Sequence, residues 1–256
     1  MHHLYIDEYC GLDSFLHRLK PQVKAVTFFA FILFLVFTPA RAYPAFCLYA
    51  CLLLVILLAS KLPLRYVFTR SLSVIPFVLV VALFIPFLKK GQVAGGYSLG
   101  SLRLNLTYEG IYIFWNILIK AYLSGVCVIL LAGTTKFSLL LKALGQLRLP
   151  RVIIMVMSFM YRYIFVIADE LMQMRLAKDS RTVAGSRWFH AKALSSMLGV
   201  LFIRSYEKGE SVYLAMCSRG FDGEIRVLGQ SKAGAADIIF AAVVISVLAC
   251  IRVFAV

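Results

Sequence analysis

The 256-residue sequence predicts an all-α integral membrane protein, with about five spanning helices and a further region of amphipathic helices on the cytoplasmic side. Three observations predict it. Hydrophobic residues make up 62% of the chain and charged residues 15%, against about 45–50% and about 25% in soluble domains. Charge-free apolar runs recur at lengths close to the roughly 20 residues that a spanning helix needs. A net charge of +15, from 27 Lys and Arg against 12 Asp and Glu, is concentrated between those runs. An ordinary soluble enzyme is excluded, and so is a disordered chain, which lacks the apolar surface that offsets ordering entropy.

Residues 25–40, 42–60 and 71–88 carry no charge and give the first three spans. The fourth covers 110–135, interrupted only by Lys120, and the last covers 235–256, apolar apart from Asp237 and Arg252. The first run reads as a span and not as a cleaved secretory signal, because some twenty largely polar residues precede it and no small-residue cleavage site follows. Between the third and fourth spans, Gly91, Gly95, Gly96 and Gly100 precede alternating Leu102, Leu104 and Leu106, which predicts a turn and one short extended segment. The expected organisation is therefore an N-terminal segment with four spans over 1–135, amphipathic helices over 136–234 and a final span over 235–256.

Orientation follows from the loops. The N-terminal segment, the loop after span two and region 133–234 together hold 21 basic residues, while the opposite segments hold 5. The excess marks the cytoplasm and places the N-terminus inside and the C-terminus outside. Topology thus accounts for most of the positive charge without a nucleic-acid partner.

Chemical motifs are sparse. No Gly-Lys-Ser/Thr occurs, so the chain has no Walker pattern and any ATP it uses is hydrolysed by another subunit. Six cysteines include no Cys-x-x-Cys, and Cys47 and Cys51 read as packing residues in an apolar span. His2 and His3 offer an amino-terminal Cu(II) or Ni(II) site, against the plainer reading of a cytosolic tail. Lys120 stands within a span, where a charge costs at least about 2.5–3.5 kcal/mol and marks function by default; snorkelling or contact with a partner protein is the alternative. No carboxylate lies near mid-depth to complete an ion or proton pathway.

In the cytoplasmic region, Phe137, Leu140, Leu141 and Leu144 recur at helical spacing opposite Lys136, Ser138, Lys142 and Gln146, predicting an interfacial helix over 136–146. Pro150 suits the first turn of the next helix, which begins apolar, turns polar at Arg162 and runs past Lys178; whether 150–168 forms a sixth span stays open. A third helix starts near Phe189, carries Tyr206, Val212, Tyr213 and Met216 on one stripe, and ends at Ser218-Arg219-Gly220, where Gly220 supplies the left-handed terminator. The helix before it ends in Ser180-Arg181-Thr182. Each arginine could cap its own helix's last carbonyls. Two matching tips 38 residues apart support another reading, in which the guanidinium groups fork onto carboxylates in two copies of one acidic groove.

These residues resemble the transmembrane T component of energy-coupling-factor (ECF) transporters. That family bears two short Ala/Ser-Arg-Gly-like motifs at the ends of paired cytoplasmic coupling helices, matched by Ser180-Arg181-Thr182 and Ser218-Arg219-Gly220. Thr134-Thr135, Leu149-Pro150, Arg162-Tyr163, Glu170, Tyr213 to Met216 and Phe221 match its context. Ile6 to Tyr9, Ser14, Leu16-His17 and Pro21 to Lys24 look like the CbiQ subgroup dedicated to cobalt and nickel uptake; Thr182 departs from the family's usual glycine. The resemblance implies an EcfT-like fold and a non-catalytic subunit without cofactor or resident metal. It implies two CbiO-type ATPases that grip Arg181, Arg219 and their neighbours Ser180, Thr182, Ser218 and Gly220. It further implies a CbiM-type substrate-binding membrane subunit, with or without a CbiN-type accessory, in the bacterial cytoplasmic (inner) membrane. The cargo expected is cobalt, with nickel or a vitamin such as biotin as the alternative. An ordinary ABC permease fits less well, since region 133–234 has no Glu-Ala-Ala…Gly loop.

Overall fold

The computed structural model describes residues 14–40, 42–85, 93–99, 102–147, 149–181, 186–223 and 234–255. In chain order the elements are α1 (Phe15–Arg18), α2 (Pro21–Phe37), α3 (Tyr43–Ser60), α4 (Leu64–Leu72), α5 (Ile75–Leu83), β1 (Val93–Leu99), β2 (Leu102–Thr107), α6 (Tyr108–Thr134), α7 (Phe137–Gln146), α8 (Arg151–Arg181), α9 (Arg187–Cys217) and α10 (Ala235–Ala255). Among the described residues the fold is helical apart from one antiparallel hairpin of β1 and β2. It is a multi-pass membrane architecture: among the described residues, five helical stretches are long and apolar enough to cross a bilayer.

The five are not quite those expected. They are α3, the α4–α5 stretch Leu64–Leu83, Glu109–Thr134 in α6, Arg151–Arg181 and Ala235–Val253 in α10. The helix of the first expected span, α2, has 17 residues, or about 26 Å at 1.5 Å per residue, short of the roughly 30 Å hydrocarbon thickness. It begins at Pro21, four residues before the charge-free run, because Lys24 lies inside the helix and not at its edge. The third span starts earlier than its charge-free run, directly after Pro63, and breaks between α4 and α5 near Pro76, whose ring cannot continue an upstream helical ladder. The loop expected to hold one extended segment forms two paired strands.

The chain divides into two compact units: residues 2–143 with 231–256, and residues 144–230. The first is a helical bundle with α6 against α2, α3, α4 and α5, and α10 against α2 and α3. Its core joins Phe28, Phe31 and Leu35 of α2, Phe46, Tyr49 and Leu53 of α3, Leu123, Cys127 and Leu130 of α6, and Leu248 of α10. Phe31 meets Tyr49 edge-on with centroids 5.8 Å apart, the arrangement aromatic quadrupoles favour.

Polar side chains fasten both ends of this bundle. At one end Lys24 is buried, and its ammonium donates to the Thr134 carbonyl at 3.0 Å. Nearby, the Asp237 carboxylate accepts from the Gly234 amide at 2.9 Å and the Lys20 amide at 3.0 Å, joining the first turn of α10 to the start of α2. At the other end the Lys120 ammonium donates to the Val36 carbonyl at 2.9 Å and the Thr38 carbonyl at 2.7 Å. One turn earlier on α6, Asn116 donates to the Ala40 carbonyl at 3.3 Å. A lysine therefore caps the C-terminal end of another helix, satisfying carbonyls that α2 itself leaves without partners.

The second unit contains α8 and α9, each of 31 residues. No residue of α8 is buried. Val152, Val156, Met160 and Leu176 of α8, and Trp188, Phe202 and Tyr206 of α9, are exposed.

Candidate functional site

The end of α9 is built by its backbone. Gly220 takes φ 79°, the left-handed conformation expected of it, in which a Cβ is strained. The Gly220 amide donates to the Cys217 carbonyl at 3.0 Å and the Phe221 amide to the Met216 carbonyl at 3.1 Å, which together form a Schellman motif. The Ser218 amide and hydroxyl both donate to the Leu214 carbonyl, at 3.0 and 2.9 Å. The Leu214, Met216 and Cys217 carbonyls that Arg219 could have capped are thus already occupied. Its side chain is exposed and, among the described residues, has no hydrogen-bond or ion-pair partner.

Arg181 ends α8 in the same condition. It is exposed and unpaired among the described residues, while the Ser180 hydroxyl donates back to the Ala177 carbonyl at 2.9 Å. The nearest acidic residue in sequence, Asp179, is taken by Lys178 at 3.1 Å and Arg175 at 3.9 Å. Thr182 lies outside the described residues, so the chain's departure from glycine at that tip has no structural description. Both tips present a serine turned onto its own helix and an arginine left outward.

The two helices meet through Glu170 and Arg204, whose side chains form an ion pair across 34 residues. A groove beside it is lined by Val166, Ile167, Leu201, Ser205 and Lys208. From this contact Arg181 lies 11 residues along α8, about 16 Å, and Arg219 lies 15 residues beyond Arg204, about 22 Å. Arg204 gave no signal in the sequence, since nothing local distinguishes it from other surface cations. The stripe of Tyr206, Val212, Tyr213 and Met216 has no buried member. Within it, a side-chain hydrogen bond to Cys217 holds the Tyr213 phenol above its usual range.

Other sequence candidates resolve structurally. Lys120 is the helix cap described above, with its ammonium 5.9 Å from the Phe46 ring centroid. Cys47, Cys51, Cys127, Cys217 and Cys250 are free thiols, and among the described residues no group of three His, Cys, Asp or Glu side chains could hold a metal ion. His2 and His3 lie outside the described residues.

The model of the CbiQ cobalt transport protein family matches residues 13–229, which include both tips and most of the bundle. The chain belongs to the CbiQ family. It is a transmembrane T component of the ECF type, as its full-length relatives indicate. The ECF transporter transmembrane protein EcfT of Macrococcus caseolyticus is 26% identical over 230 residues, covering 86% of each chain. EcfT of Staphylococcus aureus is 29% identical, over 87% of this chain and 85% of that one. A Methanocorpusculum labreanum protein described as a fused cobalt transport protein, CbiMQ, is 30% identical over 128 residues, half of this CbiQ chain and 21% of that one.

Proposed function

We propose that this CbiQ protein is the energy-coupling subunit of a cobalt importer, in which Arg181 and Arg219 engage two CbiO-type ATPases. The observation that carries the reading is the state of the tips: two exposed guanidinium groups without partners among the described residues, the Arg219 one beside a helix end whose carbonyls are served by backbone and serine donors and the Arg181 one beside a serine turned back onto its own helix. A planar guanidinium meets a carboxylate through two parallel hydrogen bonds, so an acidic groove on each ATPase would hold one tip. Ser180, Ser218 and Gly220 shape the described parts of the two ends, and Thr182 follows Arg181 in sequence. Residues 136–234 act as the coupling region on the cytoplasmic side, between the spans of 1–135 and the final span of 235–256, with the apolar stretch of α8 that could enter the bilayer part of it.

ATP hydrolysis belongs to the partners. Closure of the ATPase pair moves the tips, and the spans pass that movement to a CbiM-type subunit that carries the ion, with or without a CbiN-type accessory. The fused CbiMQ name supports a partner of that kind, and the family description supports cobalt. The excess of basic residues on one side supports a cytoplasmic N-terminus, an external C-terminus and placement in the bacterial cytoplasmic membrane. The EcfT relatives favour a second reading, in which the same coupling serves nickel or a vitamin.

Replacing both arginines, Arg181→Ala with Arg219→Ala, should abolish co-purification of the ATPase pair and cobalt uptake while leaving the protein in the membrane. Unchanged co-purification overturns the assignment of the tips. Identification of the co-purifying membrane subunit separates the cargoes: a vitamin-binding partner overturns cobalt.

A further inference from the structure

Lys24 is a charged side chain in the interior of an apolar bundle, 2% exposed. Such a charge persists only where its donors are met, and here they are met by an unusual set of acceptors. The ammonium donates to the Thr134 carbonyl at 3.0 Å, to the Thr135 hydroxyl at 3.5 Å and to the His17 carbonyl at 3.5 Å. Thr134 is the last residue of α6, so its carbonyl is one that the helix cannot satisfy itself. The Thr134 hydroxyl turns back to the Leu130 carbonyl at 2.8 Å. After Thr135 the chain turns at Lys136, whose carbonyl accepts from the Leu139 and Leu140 amides as α7 begins.

Residues 134–136 are therefore an elbow, and every displacement passed along the chain from the arginine-bearing helices to α6 crosses it. A short non-helical joint is soft in φ and ψ and absorbs movement unless something fixes it. Lys24 fixes it from α2, a different element of the bundle. Lys120 uses the same chemistry at the far end of α2, where it caps the Val36 carbonyl in the last turn and the Thr38 carbonyl just past it, at a joint that leads to α3 and to no tip.

We propose that Lys24 is a positioning residue of the coupling machinery, a buried ammonium that locks the 134–136 elbow to α2 so that tip movement reaches α6. The proposal rests on the T-component reading. Removing the lock softens the joint without touching the tips. ATPase association and hydrolysis then continue while transport per ATP falls.

The test uses the complete transporter in proteoliposomes, with the ATPase pair and the substrate-binding subunit, comparing Lys24→Met, Lys24→Arg and Lys120→Met. Lys24→Met should co-purify with the ATPases at the wild-type ratio and lose at least about fivefold in ion taken up per ATP hydrolysed, the lower end of usual coupling between sites. Lys24→Arg should recover part of that loss, and Lys120→Met should keep the wild-type ratio of uptake to hydrolysis. Nitroxide labels at the exposed positions Val26 and Leu139, on either side of the elbow, read the joint directly in the assembled complex, with other cysteines removed. Their distance distribution should broaden in Lys24→Met and not in Lys120→Met. Thr135→Val, which removes one acceptor and no charge, provides a milder variant should Lys24→Met fail to accumulate; it should broaden the same distribution. An unchanged uptake ratio and distance distribution in Lys24→Met, or equal losses in Lys120→Met, overturns the proposal. The Arg181→Ala, Arg219→Ala variant in the same assay isolates the underlying reading, since its retention of the ATPases would overturn that reading whatever Lys24 does.

Discussion

Replacing Gly220 with alanine tests whether the shape of a helix end determines ATPase engagement. A Cβ added at Gly220 meets nothing within 4 Å, so steric crowding contributes no penalty. What remains is the backbone: φ 79° is left-handed, and an L-residue other than glycine holds that conformation at a cost of about 1–2 kcal/mol. Alanine either bears this strain or leaves the left-handed region. Leaving it releases the Gly220–Cys217 and Phe221–Met216 hydrogen bonds and frees carbonyls that then compete for the Arg219 guanidinium. If the ATPase binds the ordered tip, the same 1–2 kcal/mol must be supplied on association, which weakens affinity by roughly 5- to 30-fold. The assay is the dissociation constant of the detergent-solubilised protein for the purified ATPase pair. Gly220→Asn should recover most of the affinity, because asparagine enters the left-handed region more readily. Gly223 offers the control, with φ 88° and equally open space, but it lies three residues past the motif. Gly223→Ala should bind within about twofold of wild type, a difference under half a kcal/mol. Binding of Gly220→Ala within twofold of wild type, or an equal loss in Gly223→Ala, would refute the reasoning.

Other substitutions separate stability from coupling. Lys120→Met leaves the Val36 and Thr38 carbonyls without their donor and should lower bundle stability by about 1–3 kcal/mol, measured by thermal unfolding in detergent, with ATPase co-purification unchanged. Asp237→Ala removes the acceptor of two backbone amides, Lys20 and Gly234, and should cost a similar amount; Asp237→Asn, which keeps an oxygen acceptor, should cost less in the same measurement. Glu170→Arg and Arg204→Glu should each broaden the distance distribution between labels at Ser180→Cys and the native Cys217, and the double reversal should restore it. Thermal stability should hardly move in that series, because an exposed ion pair contributes about 0.2–1 kcal/mol.

How much of this was legible depended on where each charge finds its partner. Charge-free runs located α3, α6 and α10 to within two residues, because in those helices the boundaries of the apolar runs coincide with the helix ends. The same rule began α2 four residues late and displaced the third span, since Lys24, Arg65 and Arg70 lie inside helices. Lys24 is met by backbone carbonyls, and Arg70 sits 4.9 Å from the Tyr66 ring centroid; neither arrangement has a side-chain pattern that a sequence displays. Lys120 was conspicuous for want of a carboxylate, yet its partners are carbonyls. The first strand of the hairpin, β1, escaped for the opposite reason, because Gly95 and Gly96 erase the alternation that reveals β2. Gly220 was legible because left-handed termination is a local demand that glycine meets best. The Glu170–Arg204 pair was not, because its members are 34 residues apart and ordinary in their own surroundings.

The two arginine tips stand on helices that have almost no core of their own. No residue of α8 is buried, and the pair meets through an exposed ion pair and a shallow groove. Helices of 31 residues held this lightly owe their mutual angle to what surrounds them, whether lipid or another subunit, and so to forces that a bound ATPase can outweigh. Rotation of either helix about the Glu170–Arg204 contact converts directly into tip displacement. A turn of about 10° moves Arg181, about 16 Å out, by about 3 Å, and Arg219, about 22 Å out, by about 4 Å. Those displacements approach the one-turn spacing of a helix, large enough to carry a guanidinium from one acceptor to the next. The bundle is the reverse case: buried Lys24, Lys120 reaching two carbonyls and Asp237 joining two helix starts all act against small movement. On the proposed function, the lightly held helix pair is compliant where ATP would act, and the fastened bundle is stiff where a substrate-binding subunit would be pushed. The 134–136 elbow lies within the bundle unit, on the chain path between α6 and the arginine-bearing helices, and on the proposal above a lysine buried there matters more to coupling than one at the far end of the same helix.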